Sequence, residues 1–310
     1  MDYKSYDEMN ISQIPALEVL ENMGYQVIRE SESTYVYNDL RESMYSVLLK
    51  PVLKEQLKQI NSYEFKGQIH TFSDVNIEQA INDIDMALTD GLIKTNEKIY
   101  DTLILGKSYE ERISKEDGSR SFNMYYIDFD NPDKNVFHAI EEYSVETESG
   151  DSTARPDIVL FVNGIPFGVI ECKKASISTS QGISQMIRNQ GQTYIHNLFK
   201  FVQIVMATNK NESKYATVGT PSKLWSFLKE DKESEEYEWY KIELSNSVIN
   251  RIPTIQDQNL VSMFHPKRAL ELIRYFILFD RKQKKITRYQ QFFAVKEIMS
   301  TIQETDEEGN

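Results

Sequence analysis

The sequence contains a single cysteine, Cys172, in 310 residues. One cysteine excludes an internal disulfide and is typical of a protein from a reducing compartment. No apolar run approaches the ~18 residues that a membrane-spanning helix needs. Residues 1–8 have neither the basic start nor the apolar stretch of a secretory signal. We therefore expect a cytoplasmic protein that has no membrane partner.

Basic residues are also scarce. The chain has 35 Lys and Arg against 48 Asp and Glu, and its formal net charge is −13. A protein that binds nucleic acid by itself usually has a basic excess, because Lys and Arg near the phosphates release counterions. Here basic residues cluster only over residues 281–288 and at Lys173 and Lys174. If the substrate is DNA, we expect another subunit or domain to provide most of the binding.

The composition is that of an ordinary globular domain, with 40% hydrophobic and 11% aromatic residues. Periodicity and turn residues predict, in order, helices over 12–24, over 39–60 with a break or restart at Pro51, and from Ser73 towards Gly91; strands over 122–129 and 136–145; a hairpin over 157–173; a helix over 180–196; a strand over 201–207; a short helix over 222–228; a surface excursion or edge strand over 229–243; and helices over 260–279 and 288–302. This order predicts an α/β (α+β) domain with a mixed sheet flanked by helices.

The hairpin is the most informative segment. Two apolar runs, 158–162 and 165–170, are joined by Asn163-Gly164. Asn-Gly between two such runs is the strongest short-range signal for a β-hairpin. Asp157 stands immediately before the first run, and Glu171 stands immediately after the second. The hairpin therefore places two carboxylates at its open end.

Carboxylate oxygens are the ligands that Mg²⁺ prefers, usually one or two of them together with water and substrate oxygens. We predict Asp157, Glu171 and the backbone carbonyl of Cys172 as ligands of Mg²⁺ or Mn²⁺. Lys173 lies on the same strand face as Glu171, because side chains alternate along a strand. There it can hold or deprotonate an attacking water and offset developing negative charge. This equipment is suited to hydrolysing phosphodiesters.

The alternative is that these residues are solvated charges at the edge of a strand. Glu-x-Lys also occurs at Glu64 and Glu230, so the short motif alone is weak. The copy at Glu171 is distinguished because it ends an apolar strand whose hairpin partner begins with Asp157. That context favours a site over a solvated edge.

The pairing of the hairpin decides whether its carboxylates can meet. A strict two-residue turn would set Asp157 opposite Ile170, on the face away from Glu171. One extra residue in the hairpin would bring Asp157 to the same face as Glu171. It could lie in a three-residue loop over 163–165 or in a bulge at Gly168. We predict such a shift, with Asp157 and Glu171 on one face.

The segments 154–166 and 169–174 closely resemble the nuclease domain of the R subunit of type I restriction enzymes. The resemblance extends upstream to residues 127–137 and to a first helix that includes residues 17–25. It implies the PD-(D/E)xK restriction-endonuclease-like fold, with Asp157, Glu171 and Lys173 at the catalytic positions.

The resemblance also implies a Gln-x-x-x-Tyr element in the helix after the hairpin. Gln185 stands at the matching distance but is followed by Asn189, whereas Gln190 and Tyr194 form the pattern later. We favour Gln185 as the catalytic residue and keep Gln190 and Tyr194 as alternatives. A glutamate that is usual in the first helix is replaced by Gln13, which leaves the upstream acidic ligand open.

Near the C-terminal end, Arg288, Tyr289 and Gln290 resemble the adenine-reading element that precedes the motor of superfamily 2 helicases. The phosphate-binding loop Gly-x-x-x-x-Gly-Lys-Ser/Thr does not follow within the 310 residues. The resemblance therefore implies an endonuclease domain over 1–255, and a helical linker with the start of a first RecA-like motor domain over 256–310. ATP is expected to bind only to a longer subunit.

The expected function is Mg²⁺-dependent cleavage of double-stranded DNA after ATP-driven translocation, in a bacterial or archaeal cytoplasm. The expected partners are the methyltransferase and specificity subunits of a restriction complex. Two alternatives stay open. One is a stand-alone PD-(D/E)xK nuclease, and the other is a non-catalytic docking module of the same complex.

Overall fold

The computed structural model describes residues 12–32 and 35–307. Its strands are β1 (Gln26–Ile28), β2 (Tyr63–Phe65), β3 (Gln68–His70), β4 (Lys107–Ser114), β5 (Gly118–Met124), β6 (Phe137–Glu141), β7 (Val145–Glu146), β8 (Thr153–Ala154), β9 (Ile158–Val162), β10 (Ile165–Cys172), β11 (Ile204–Asn209), β12 (Glu212–Ala216), β13 (Ile277–Asp280) and β14 (Gln283–Ile286). Its α-helices are α1 (Ile14–Asn22), α2 (Lys50–Ile60), α3 (Asp74–Ile84), α4 (Leu92–Leu105), α5 (Thr179–Asn189), α6 (His196–Phe199), α7 (Glu236–Ser247), α8 (Ile255–Phe264), α9 (Pro266–Tyr275) and α10 (Tyr289–Glu307).

Six strands form one mixed sheet in the order β1-β6-β9-β10-β11-β12. The pairs β1–β6 and β10–β11 are parallel, and the other neighbours are antiparallel. Every residue of β9, β10 and β11 is buried, as expected for strands that are covered on both faces. The predicted mixed α/β sheet is confirmed.

Helices cover both faces of the central strands. On one face α5 packs against β10 and β11, and Gly182 of α5 lies close to Glu171 and Lys173. On the other face Phe264 of α8 reaches Gly168, and α8 in turn packs against α1. Glu171 therefore faces α5, and Cys172 faces the side of α1 and α8.

The predicted extra residue in the hairpin is confirmed, and it is the bulge. Val162 pairs with Ile165, so the connection has two residues, and the pairing shifts between Pro166 and Gly168. Beyond the shift Ile170 pairs with Ile158. Continued outward by one residue, this register sets Asp157 opposite Glu171, which places the two carboxylates on one face.

The turn of this hairpin is locked against α2. Asn163 and Gly164 both have left-handed backbones, with φ of 51° and 80°, as a type I′ turn requires. A Cβ on residue 164 would lie only 2.5 Å from the carbonyl oxygen of Leu49. Gly164 is therefore needed both for its conformation and for the close approach of a neighbouring backbone.

Gly164→Ala is expected to destabilise the protein by about 3 kcal/mol or more, since left-handed strain costs roughly 1–2 kcal/mol and overpacking roughly 1–3 kcal/mol. Gly67 offers a matched control, because it occupies the same turn position of the β2–β3 hairpin with φ of 77° and nothing within 4 Å of an added Cβ. Gly67→Ala should cost only the strain. Urea unfolding measures both variants, and equal losses would contradict the role assigned to the contact with α2.

Two predicted helices are divided in the structure. The pattern over 39–60 becomes a π-helical turn at Val36–Leu40 and a helix that starts at Lys50, with Pro51 in its first turn. The predicted restart at the proline is thus correct. The helix predicted over 260–279 becomes α8 and α9, and its last residues belong to β13.

The interpretation of residues 229–243 as a surface excursion or edge strand was wrong from Glu236 onwards, because these residues belong to helix α7. Of its twelve residues α7 buries only Tyr240 and Ser247, so no apolar stripe marks it in the sequence. The hairpin β13–β14 was missed because its turn residues, Arg281 and Lys282, have left-handed backbones without being Gly, Asn or Asp. Over the described part of the chain, no helix is long and apolar enough to cross a membrane.

Candidate active site

The predicted catalytic residues converge at the open end of the β9–β10 hairpin. Asp157 accepts a hydrogen bond from the backbone N–H of Cys172 at 2.6 Å. The Lys173 Nζ lies 3.6 Å from Asp157 Oδ2 and 3.5 Å from Glu171 Oε2. All three side chains are buried, with exposed fractions of 8%, 0% and 7% for Asp157, Glu171 and Lys173. One ammonium group is thus held between two carboxylates.

The carboxylate of Glu171 is the least satisfied group in this cluster. Both of its oxygens are buried, and neither accepts a hydrogen bond from the part of the chain that the structure describes. Burial raises the pKa of the Glu171 carboxyl well above its usual range, the charge of Asp157 raises it further, and Lys173 opposes the shift. A buried carboxylate without donors is unfavourable unless a cation accompanies it.

The oxygen atoms present are suited to a hard divalent cation. The carbonyl oxygen of Cys172, predicted as a ligand, accepts a hydrogen bond from Lys173 Nζ at 2.9 Å and so borders the same cluster. Among the described residues no three His, Cys, Asp or Glu side chains form a group that could hold a metal. Two carboxylates and a carbonyl nevertheless match Mg²⁺, which keeps several waters.

The Cys172 thiol does not belong to this oxygen cluster. It is fully buried on the opposite face of β10, and burial raises its pKa well above the usual value. A protonated, inaccessible thiol is neither a nucleophile nor a metal ligand. Cys172 is therefore a core residue.

Helix α5 lies directly over the cluster, and Gly182 makes this possible. A Cβ on residue 182 would lie 3.2 Å from the Ala207 Cβ and 3.5 Å from the Glu171 Cβ. The glycine lets the helix approach β10 and β11 closely. Sequence reasoning missed Gly182, although an isolated glycine within a helical pattern is a recognised sign of close packing.

A groove of about 450 Å³ lies beside the cluster, and all the residues that line it have polar side chains. It is lined by Lys173, Ser180, Gln181, Ser184, Gln185 and Arg188. Gln185, the favoured residue of the expected Gln-x-x-x-Tyr element, is thus brought together with Lys173. Such a groove, with a lysine, an arginine and several hydrogen-bonding side chains, has the chemistry that binds a phosphodiester backbone.

The alternatives Gln190 and Tyr194 are not part of this groove. Gln190 follows the last turn of α5, where its side chain donates to the Met186 carbonyl and accepts from the Gly219 N–H at 2.7 Å. These bonds tie the end of the helix to the chain after β12. Tyr194 is 36% exposed, and its ring faces the Arg188 guanidinium 5.4 Å away.

Gln13 is close to the cluster and is buried at the start of α1. Its Nε2 donates to the backbone oxygen of Asp157 at 3.1 Å and to Glu142 Oε1 at 3.2 Å. The structure therefore places an amide where the resemblance implies a carboxylate. It also places the carboxylate of Glu142 in contact with that amide. Sequence reasoning missed Glu142, because it lay within the strand predicted over 136–145.

Arg288, Tyr289 and Gln290 lie at the start of α10 and do not line the groove. The ring of Tyr289 packs 6.0 Å from that of Phe227. The nucleotide-binding role of these three residues stays a prediction.

Comparisons with known proteins show which family this chain belongs to. The family described as the type I restriction enzyme R protein N terminus matches residues 5–223. A Methanocaldococcus jannaschii protein named as the endonuclease subunit of the type I restriction enzyme MjaIXP is 28% identical over 290 residues, which cover 91% of this chain and 26% of that protein. The HindI endonuclease subunit of Haemophilus influenzae is 24% identical over 317 residues, which cover 98% of this chain and 28% of that subunit.

The EcoprrI endonuclease subunit of Escherichia coli is 22% identical over 304 residues, which cover 96% of this chain and 83% of that subunit. The chain spans about a quarter of the length of the MjaIXP and HindI subunits. Because the family match covers more than half of the residues, and because Asp157, Glu171 and Lys173 converge within it, the chain belongs to the N-terminal family of type I restriction enzyme R proteins.

Proposed function

We propose that this chain is an endonuclease domain that hydrolyses phosphodiester bonds of double-stranded DNA with Mg²⁺ or Mn²⁺. The observation that carries the proposal is the carboxylate of Glu171, which is fully buried beside Asp157 and Lys173 and accepts no hydrogen bond from the described residues. Two buried carboxylates share the single ammonium group of Lys173, and the negative charge that it leaves uncompensated suits a metal site.

In this proposal Asp157 and Glu171 hold the ion, and the Cys172 carbonyl is available as a third oxygen. The bound metal supplies Lewis acidity and lowers the pKa of a coordinated water. Lys173 holds or deprotonates the attacking water, and its charge offsets the negative charge that develops on the phosphorus group. Gln185 orients the DNA backbone in the groove.

The wider assembly belongs to the same proposal. The net charge of −13 argues against strong DNA binding by this chain alone. We assign most of the DNA contacts to a motor and to methyltransferase and specificity subunits, so that translocation selects the cleavage position. Residues 256–310 would lead from the nuclease domain into that motor, with Arg288, Tyr289 and Gln290 at its adenine site and ATP bound only in a longer subunit.

Calorimetry with Mn²⁺ tests the metal site directly. The 310-residue chain should bind Mn²⁺, and Asp157→Asn should abolish measurable binding because it removes a direct carboxylate ligand. Asp133→Asn, at an exposed aspartate in a 3₁₀ turn, is the control and should bind like the wild type. Absence of binding by the wild type, or unchanged binding by Asp157→Asn, would reject the proposal.

A second candidate function is a non-catalytic docking module of the same complex, with a decayed site. The buried amide of Gln13 beside Asp157 favours it, since a carboxylate is implied at that position. A decayed site should bind no metal in a manner that depends on Asp157. The same titration therefore separates the two functions.

Gln185→Ala is expected to lower DNA cleavage by the assembled enzyme roughly 10-fold, through poorer orientation of the backbone, without changing stability. Gln190→Ala should do the reverse. Loss of its bond to the Gly219 N–H should cost about 1–2 kcal/mol of unfolding free energy and leave cleavage by the folded enzyme unchanged. Plasmid cleavage and urea unfolding of both variants give the comparison, and a larger cleavage defect in Gln190→Ala would exchange their roles.

A further inference from the structure

Glu142 immediately follows β6 and has a left-handed backbone, with φ of 50°. For a residue with a side chain this conformation costs roughly 1–2 kcal/mol. Its N–H donates to the backbone oxygen of Asp157 at 2.9 Å, which ties the end of β6 to the residue that precedes β9. Residues with strained backbones are enriched at functional sites.

The side chain of Glu142 is held on both oxygens. Gln13 Nε2 donates to Oε1 at 3.2 Å, and Arg155 Nε lies 3.1 Å from Oε2. The same Gln13 nitrogen also donates to the Asp157 backbone oxygen at 3.1 Å. One amide group thus links the Glu142 carboxylate to the backbone of a metal-site residue.

Charge balance at the proposed metal site requires a third negative charge. A divalent ion together with the Lys173 ammonium carries three positive charges, whereas Asp157 and Glu171 carry two negative ones. Glu142 supplies the third. The charge of Arg155 is matched separately by Glu30, whose Oε1 lies 2.9 Å from Arg155 Nη1.

The two buried oxygens of Glu171, which accept no hydrogen bond from the described residues, favour a cation beside this cluster. Together these contacts give different roles to Gln13, at the start of α1, and to Glu142, immediately after β6. We propose that Glu142 is the third acidic residue of the metal site and that Gln13 positions it. This inference rests on the proposed function, because it assumes a metal at Asp157 and Glu171.

Glu142 would act through water bound to the metal. Over the described residues no three acidic side chains form a group able to hold one ion directly, and Mg²⁺ usually retains several waters that need hydrogen-bond acceptors. Residues that act on a metal through its ligands or its bound water typically change its affinity 10–100-fold.

If the proposal is correct, the carboxylate of Glu142 and the amide of Gln13 can exchange places without loss of metal binding. The double variant Gln13→Glu with Glu142→Gln keeps one amide and one carboxylate in contact and moves the negative charge from β6 to α1. The single variant Glu142→Gln leaves two amides and no third charge. A merely structural role of Glu142 as the partner of Arg155 would not be restored by a carboxylate at residue 13.

Titration of the 310-residue chain with Mn²⁺ tests this. We expect Glu142→Gln to weaken binding roughly 10-fold and the double variant to bind within roughly 3-fold of the wild type. Glu30→Gln is the matched control, because Glu30 pairs with the same Arg155 but does not contact Gln13. It should change the affinity by no more than roughly 2-fold. Thermal unfolding without metal reports the folding of each variant.

Wild-type affinity in Glu142→Gln, or a double variant as weak as Glu142→Gln, would overturn the inference. If Glu142→Gln does not fold, Gln13→Met tests the same point, since it frees the Glu142 carboxylate from Asp157 and should also weaken binding. Unchanged affinity there would equally overturn it. Asp157→Asn distinguishes failure of the proposed function from failure of the inference about Glu142. The proposed function fails only if that variant binds Mn²⁺ like the wild type or if the wild type binds none.

Discussion

Lys173→Met is expected to lower DNA cleavage by the assembled enzyme roughly 10³-fold, within the range of 10²–10⁴ that a positioned proton-transfer group contributes. The Lys173 ammonium lies 3.6 Å and 3.5 Å from the carboxylates of Asp157 and Glu171, which is where an attacking water would be held. Metal binding should persist or strengthen, since the variant removes a positive charge beside the ligands.

Lys174→Met is the matched control, because it removes the same charge one residue further along the chain, outside the residues that line the groove. It should cut DNA at nearly the wild-type rate. ATP hydrolysis by the assembled enzyme reports that each variant still assembles. A Lys173→Met enzyme that cuts within about 10-fold of the wild type would remove Lys173 from the catalytic machinery.

Glu171→Gln is expected to have two effects of opposite sign. It should abolish Mn²⁺ binding, because a neutral amide is a poor ligand for a hard cation. It should also stabilise the metal-free protein by about 1–3 kcal/mol, since the wild type buries a carboxylate that accepts no hydrogen bond within the described residues. Gain of stability on loss of function is a known property of active-site residues.

Glu141→Gln provides the comparison, since Glu141 is also buried, at the end of β6, but its Oε2 accepts a hydrogen bond from the Glu30 N–H at 2.9 Å. That variant should be neutral or destabilising. Urea unfolding in the presence of a chelator measures both. A clear loss of stability in Glu171→Gln would instead identify its carboxylate as a structural partner of Lys173.

The central hairpin could be predicted because its signals are local. Asn163-Gly164 between two apolar runs specifies the turn, and the alternation of side chains shows that Asp157 and Glu171 need one extra residue to share a face. The sequence left two places for that residue. The structure selects the shift between Pro166 and Gly168, since the two-residue turn is kept by the packing of Gly164 against α2.

Elements without a regular pattern escaped prediction. Helix α7 has no apolar stripe, and the turn of β13–β14 uses Arg281 and Lys282 in conformations that such residues seldom adopt. Their structures depend on contacts that α7 makes with α1 and α8, and that β14 makes with α4. Spacing along the chain also could not separate Gln185 from Gln190, because both lie at or near α5 and only packing shows which one meets Lys173.

The sequence by itself determined the class of fold, the hairpin, the convergence of Asp157 with Glu171 and Lys173, and the resemblance to a family of nucleases. All of these depend on residues that are close in the chain or on a pattern of fixed period. Only the tertiary structure decided that Gly182 brings α5 onto the cluster, and that Gln13 contacts Glu142, 129 residues away. Contacts at such separations are set by how helices and strands pack in three dimensions, and no local periodicity encodes them.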